Sequence, residues 1–444
     1  MMIFKPYNKH KQSDIDWLGA VPQHWNLFRT DSVTKYIRNQ INPESIQAET
    51  VFHYSIPIVQ ETGTGQYEPT DDLGSAKQLI TMKSVLVSKL NPRKATICIA
   101  EPKDEVTICS SEFIAMEAKN CDLKYLYYLM NSEMNRQRLD SRVQSVTRSH
   151  QRVYPSDIYR FWTALPLTIE QQTIVSFLDQ ETARIDALIQ KKERMIELLK
   201  EKRIALITKA VTKGLDANVP MKDSGIEWLG EVPEHWGYCA LGRVCRIQGG
   251  YAFDSSNFSD EGFPLVQMSN LKRGYLDLTD SKKYPEELCP REVELDEGDI
   301  LLGMSGSIGD TGSLGNYAMV KKTDLPCYLN QRVGKLDVSS KLYRGFVYYL
   351  IQSTPFFEQV QLSVTGTAQF NISPSQLSDI WIALPPATEQ NDISNYLDKK
   401  TSKMETIIGR VENSITLLRE YRASLIHHAV TGKIDLRGHD AQAQ

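Results

Sequence analysis

Cysteine is scarce in this 444-residue chain: seven residues, with no CxxC pair among them. The spacing of Cys98, Cys109, Cys121, Cys239, Cys245, Cys289 and Cys327 suits neither a disulfide framework nor a zinc site, so reduced thiols in a cytoplasmic protein are the simplest reading. No apolar run approaches the roughly 18 to 20 residues that span a bilayer. The opening segment, Met1–Gln12, lacks the apolar core and small-residue cleavage site of a secretory signal. A large excess of one charge is also missing, since 51 Lys and Arg stand against 55 Asp and Glu, a net of −4. That balance argues against a histone-like coating protein. Any contact with nucleic acid must come from local clustering of cations.

Catalytic signatures are equally thin. An amino-methyltransferase needs an (N/D)PP(Y/F) motif and a Gly-rich turn for its methyl donor, whereas the lone PP pair here, Pro385-Pro386, opens a helix. No GxxxxGK[ST] loop is present to drive an ATP motor, and no HExxH to hold zinc. His427 and His428 are adjacent on a helix and face different directions. Ser305-Gly306-Ser307 lacks the flanks of a nucleophile elbow, and Asp71-Asp72 reads as loop solvation. A self-contained methyltransferase or nuclease has no residues to stand on. What remains is an ordinary globular balance, 41% hydrophobic and 24% charged, long enough for two or three domains.

The dominant feature is a repeat. Trp17-Leu18-Gly19-Ala20-Val21-Pro22-Gln23-His24-Trp25 returns as Trp228-Leu229-Gly230-Glu231-Val232-Pro233-Glu234-His235-Trp236, an offset of 211. A second block returns at an offset of 219: Trp162 and Trp381, Ala164-Leu165-Pro166 and Ala383-Leu384-Pro385, Glu170-Gln171 and Glu389-Gln390, Ala210-Val211-Thr212 and Ala429-Val430-Thr431. The regions between, about 26 to 154 and about 237 to 373, barely resemble each other. One unit, with a WLGxVPxHW lead, a globular region and a long terminal block, therefore occurs twice. A duplicated domain that drifted is the plainer alternative, but drift should spread evenly, and here the frame is kept while the contents differ. The repeated Trp17, Trp25, Trp228 and Trp236 read as packing residues that anchor each globular region to the frame.

The terminal blocks read as helices. Between Ile169 and Lys213 there is neither Pro nor Gly. Leu178, Ile185, Leu199 and Leu206 follow a spacing of seven, with Lys192 the polar exception and Ile174, Leu188 and Met195 a companion row. Leu397, Met404, Val411, Leu418 and Leu425 are five successive heptad positions in the second block. Gly214 and Gly432 supply the stops. A helix of about 45 residues is roughly 65 Å long. Either each helix packs on its own globular region or the two pack antiparallel as a strut, and matched seams favour the strut. A pseudo-twofold arrangement would then bring the C-terminal segment beside the N-terminal arm.

In this order, and duplicated, these motifs resemble the specificity (S) subunit of Type I DNA restriction-modification systems over nearly the whole chain. Ser88-Lys89-Leu90-Asn91-Pro92-Arg93-Lys94 and Gly298-Asp299-Ile300-Leu301-Leu302 add to the likeness. The resemblance implies an α+β fold: two globular mixed α/β target recognition domains separated by a long antiparallel two-helix coiled coil, related by a pseudo-twofold internal repeat. Along the chain this gives a first recognition domain at 1–154, a helical spacer and linker at 155–223, a second recognition domain at 224–373 and a C-terminal helical spacer at 374–444. It implies a non-catalytic DNA-recognition subunit, cytoplasmic and prokaryotic, whose two domains read the halves of an asymmetric bipartite site in double-stranded DNA. Its helices would set the unread spacer and dock two methyltransferase subunits, with two motor-nuclease subunits joining for restriction. No cofactor is expected in this chain; S-adenosylmethionine belongs to the methyltransferase, ATP and Mg to the motor-nuclease. The competing reading is a coiled-coil adaptor between protein-binding domains that never touches DNA.

Base reading needs Arg, Lys, Asn and Gln at base edges with neighbours on phosphates. Between Arg136 and Arg160 the first domain carries six arginines against two aspartates, and Arg148-Ser149-His150-Gln151-Arg152 concentrates fork-shaped donors. Lys89, Asn91, Arg93 and Lys94 form a second candidate; each stretch has a solvated surface as its plainer explanation. The second domain offers small, polar, glycine-rich loops instead: Ser305 and Ser307, then Thr365, Thr367, Gln369 and Asn371. Gln248, Tyr251, Lys272 and Arg273 add an amide, an aromatic and two cations. Thr365–Asn371 occupies the place of Arg148–Gln151 before the terminal block, so two unlike sequences stand at one position.

Overall fold

The computed structural model describes residues 4–147, 150–309, 312–366 and 369–438. Two long helices, Thr168–Lys213 and Ala387–Val430, are its largest elements. Each ends against a glycine with positive φ, Gly214 at 76° and Gly432 at 68°, a conformation that costs a residue with a Cβ. The chain forms two compact units, Met1–Glu193 with Glu412–Gln444 and Arg194–Val411. Each unit takes part of both long helices, so the units cut across the chain-order boundaries drawn from sequence.

In unit 1 the central sheet has strand order Ile97–Ala100, Ser84–Ser88, Phe113–Ala118, Thr34–Ile37, all antiparallel. In unit 2 the order is Tyr317–Met319, Ile300–Gly303, Val333–Val338, Cys245–Gly249, again antiparallel. A second sheet in each unit contains one parallel pair, Thr50–Tyr54 with Thr107–Ser110 and Phe263–Val266 with Tyr328–Leu329. Two sequences that barely resemble each other therefore adopt one topology. Strand interiors explain this: Val85, Leu86, Ile114 and Met116 in one, Ile300, Leu301, Leu302 and Val333 in the other, are nearly solvent-free.

The repeated motifs build the same frame in each unit. His10–Gln12 pairs with Ala20–Pro22, as Met221–Asp223 pairs with Glu231–Pro233. Trp25 and Trp236 are fully buried, and their indole N–H groups donate to Glu170 (3.2 Å) and Glu389 (3.0 Å) at the helix starts. His24 and His235 reach the same carboxylates at 2.8 and 2.6 Å. Gln171 accepts the Asp122 N–H and Gln390 the Tyr343 N–H, both at 2.7 Å. Tyr128 donates to Asp179 and Tyr349 to Asp398, at 2.8 and 2.6 Å. Of the other two repeated indoles, Trp17 is half-buried against Phe161 while Trp228 is 37% exposed, so the anchoring reading holds for Trp25 and Trp236 and not for Trp228.

The helices pair antiparallel. In unit 1, Asp186 meets Arg422 and Glu193 meets Arg419, each at 2.9 Å, so advancing on one helix means receding on the other. In unit 2, Arg203 meets Glu405 at 3.6 Å. Of the heptad residues, Leu178, Ile185, Leu397, Val411 and Leu425 are buried, and Leu199, Leu206, Met404 and Leu418 are half-buried. The companion row fails beyond Ile174, because Leu188 and Met195 are 36% and 45% exposed. A different row is better buried: Ile174, Ile185, Ile196 and Ile207 in the first helix, and Ile393, Met404, Ile415 and Ile426 in the second. These positions recur every eleven residues. Eleven residues fill three turns at about 3.67 per turn, close to the natural 3.6, so the apolar stripe stays aligned without the overwinding a strict heptad imposes.

The C-terminal segment lies on the N-terminal arm within unit 1. The Asp435 N–H donates to the Lys5 carbonyl and the Lys433 ammonium to the Ala20 carbonyl, both at 2.8 Å. Gly432 sits against Pro22 and Trp25 as Gly214 sits against Trp236 in unit 2. The junction that the linker makes covalently in one unit is thus made by packing in the other.

Candidate nucleic-acid interface

In unit 1 strand register unites two stretches far apart in sequence. The Val153 N–H donates to the Lys89 carbonyl at 3.1 Å, and the Asn91 N–H to the Gln151 carbonyl at 2.8 Å. Asn91 takes φ 48°, which asparagine tolerates better than most side chains. Lys89, Asn91, Gln151 and Arg152 therefore share one edge. Glu112 joins them: its carbonyl accepts the Lys89 N–H, and its carboxylate holds Arg152 at 2.9 Å with the Lys89 ammonium at 3.7 Å. Arg93 is exposed and turned to Asp140 at 2.6 Å, a carboxylate that raises its pKa further, while Lys94 is exposed beside a shallow cleft with Gln60. Arg148 and Ser149 lie outside the described residues, and His150 is described only by its pairing with Thr147.

The wider basic stretch is less available than its composition implies. Arg142 is paired with Asp157, Arg160 with Asp31 and Arg136 with Glu133. Arg138 is buried, stacked over Phe161 at 3.9 Å and bonded to Asn135 and the Asp157 carbonyl. Burial draws its pKa down to about 9, still charged at neutral pH. It is a packing residue.

Unit 2 forms the same edge. The Ile372 N–H donates to the Met304 carbonyl and the Met304 N–H to the Arg332 carbonyl, at 2.9 and 3.0 Å, and Ser305–Gly306 pairs with Phe370–Asn371. Gly306, at φ 139°, holds the place of Asn91, and a Cβ there would strike Ser313. Thr365 is bonded to Asn371 in both directions at 3.0 Å. Gln369 is exposed and donates to Ser305, whose hydroxyl is buried; Ser305 thus shapes the loop rather than presenting itself, contrary to the sequence expectation. Ser307 is exposed on the same loop. Thr367 lies outside the described residues.

The remaining candidates divide. Arg273 reaches the Gly309 carbonyl at 3.3 Å and so borders the Ser305–Gly309 loop, whereas Lys272 folds back on the Ser269 carbonyl. Tyr251 is exposed and forms a backbone bridge with Asn330, two residues before Arg332. Gln248 is tied to the Glu292 carbonyl at 2.5 Å, away from this edge. Glu112 and Arg332 were missed from sequence, because only strand register brings them to residues some 40 positions distant.

Among the described residues, no group of three His, Cys, Asp or Glu side chains is placed to hold a metal, and no helix is long and apolar enough to cross a membrane. All seven cysteines are free, and burial pushes the Cys98, Cys121, Cys245 and Cys327 thiols up to about 12.

Known proteins share this frame. A family model described as the Type I restriction modification DNA specificity domain matches residues 233–417. The chain is 24% identical to the Type I restriction enzyme MjaVIII specificity subunit of Methanocaldococcus jannaschii, across 94% of either protein. It is 28% identical to the EcoAI specificity subunit of Escherichia coli over 45% of this chain and 33% of that one. A solved chain, from work on complex assembly and conformational transition of the type I R-M system, has the same fold, with TM-score 0.72 at 18% identity and coverage of 93% and 99%. By these likenesses the chain is similar to the specificity subunits of Type I DNA restriction-modification systems.

Proposed function

We propose that the chain is the non-catalytic DNA-reading subunit of a Type I complex, each unit reading one half of an asymmetric bipartite site. The observation that carries this reading is the edge the units share: the same backbone hydrogen bonds present Lys89, Asn91, Gln151 and Arg152 in one and Gln369, Asn371 and Arg332 in the other. Like backbones with unlike donors and acceptors suit two half-sites of different sequence. Phosphate contacts fall to cations beside each edge, Lys94 in unit 1 and Arg273 in unit 2.

The paired helices fix the spacing between half-sites and dock two methyltransferase subunits, through which two motor-nuclease subunits join. S-adenosylmethionine, ATP and Mg act in those partners. A helix of roughly 65 Å limits half-site centres to about 19 base pairs apart. Binding by the complex with its methyltransferase should be sequence-selective and fall steeply with salt. Inserting one eleven-residue block at equivalent points of both helices should lengthen the spacer and leave both half-sites unchanged. Absence of selective DNA binding would instead identify a protein adaptor.

A further inference from the structure

One position of the shared edge reverses its charge between the units. Glu112 immediately precedes the strand Phe113–Ala118, and Arg332 immediately precedes Val333–Val338. Both carbonyls accept the N–H of the residue that follows the neighbouring strand, Lys89 or Met304. Both side chains meet the same position of the opposing segment, Arg152 at 2.9 Å from Glu112 and Asn371 at 3.3 Å from Arg332. An acceptor paired with a donor fork in unit 1 is thus replaced by a donor fork paired with an amide in unit 2.

The two arrangements leave different chemistry free. Glu112 spends Oε1 on Arg152 and buries Oε2, which makes no hydrogen bond and has the Lys89 ammonium 3.7 Å away, so the exposed member of the pair is Arg152. Arg332 is exposed, makes one long bond to Asn371, and has no carboxylate within ion-pair distance among the described residues. An arginine fork left unneutralised beside an amide matches the major-groove face of guanine, which presents two acceptors, and the amide suits a neighbouring base.

We infer that Glu112–Arg152 and Arg332–Asn371 are the specificity-determining pairs of the two readers, and that Arg332 selects a guanine in the half-site of unit 2. This rests on the DNA-reading function proposed above and names the residues that carry it.

The test uses the full chain with its methyltransferase partner and long-read sequencing of the methylated motif. Arg332→Gln should make one G·C position of a single half-site degenerate, with about tenfold weaker discrimination there, and leave the other half-site intact. Glu112→Gln should alter the opposite half-site only. Arg332→Lys separates roles, since a lysine keeps the charge without the fork. Should Arg332→Gln abolish methylation and Arg332→Lys restore it with an unaltered motif, Arg332 is a phosphate grip and the inference is overturned. An unaltered motif in both Gln variants overturns it as well. If the wild-type complex shows no sequence selectivity, the DNA-reading function itself fails, a result distinct from these.

Discussion

The two readers share their backbone and oppose each other in chemistry. In unit 1 the edge is a cluster of cations gathered around Glu112; in unit 2 it is amides and hydroxyls around an unneutralised Arg332. Main-chain bonds, Val153 to Lys89 and Ile372 to Met304, set the register in both. Because those bonds are indifferent to side-chain identity, the edge can change what it presents without changing where it presents it. The frame behaves oppositely. There the side chains make the joint, and Trp, His, Glu, Gln, Tyr and Asp return at equivalent places.

This contrast can be tested where it should vanish and where it should persist. The eleven-residue stripe is common to both units, so Ile207→Ala and Ile426→Ala should each cost about 3 kcal/mol in chemical denaturation. Leu188→Ala and Met195→Ala, on exposed positions, should fall within about 0.5 kcal/mol. A large loss at Leu188 would restore the heptad seam.

The helix-start carboxylates should differ. Glu170 is buried and accepts from Tyr7, His24 and Trp25, whereas Glu389 is 37% exposed and accepts from His235 and Trp236. Removing Glu170 orphans buried donors, so Glu170→Ala should cost about 3 kcal/mol and Glu389→Ala about 1 kcal/mol. Equal costs would mean that the C-terminal segment and arm add nothing to the first joint.

Acid should act on unit 1. Burial holds the pKa of His53 below its ordinary 6.5, outweighing the Glu68 carboxylate at 2.5 Å. Burial, then His428, lowers that of His427. A depressed folded pKa means the unfolded chain binds the proton more readily. The stability is therefore full above about pH 6.5 and declines as pH falls through that value. Hydrogen exchange at pH 7.5 and 5.5 should reveal a modest loss of protection around 50–54 and 425–430, and His53→Gln should reduce it near the first segment. Unchanged protection would contradict the assignment.

The frame was legible because indole, Pro, Gly and the Glu-Gln pair recur at two fixed offsets. The apolar row was harder. Ile174 and Ile185 belong to both the seven- and the eleven-residue spacing, and the two separate only further along, where Leu188 and Met195 turn outward and Ile196 inward. The unit boundaries could not be read from chain order, since each long helix is divided between units. At the edge, Gln151 with Asn91 and Gln369 with Asn371 were within reach of composition. Glu112 and Arg332 were not, because an acid beside cations reads as ordinary surface until register places it. Arg138 shows the reverse error: a cation counted toward DNA proves to be buried beneath Phe161.

The central claim is that one frame carries two independent readers, and exchanging a reader tests it most directly. Residues 26–154 should be placed where 237–373 stand, and the methylated motif read by long-read sequencing of DNA treated with the hybrid and its methyltransferase. The proposed function predicts a motif in which the unit 1 half-site occurs twice. A motif that still contains the unit 2 half-site would contradict the account.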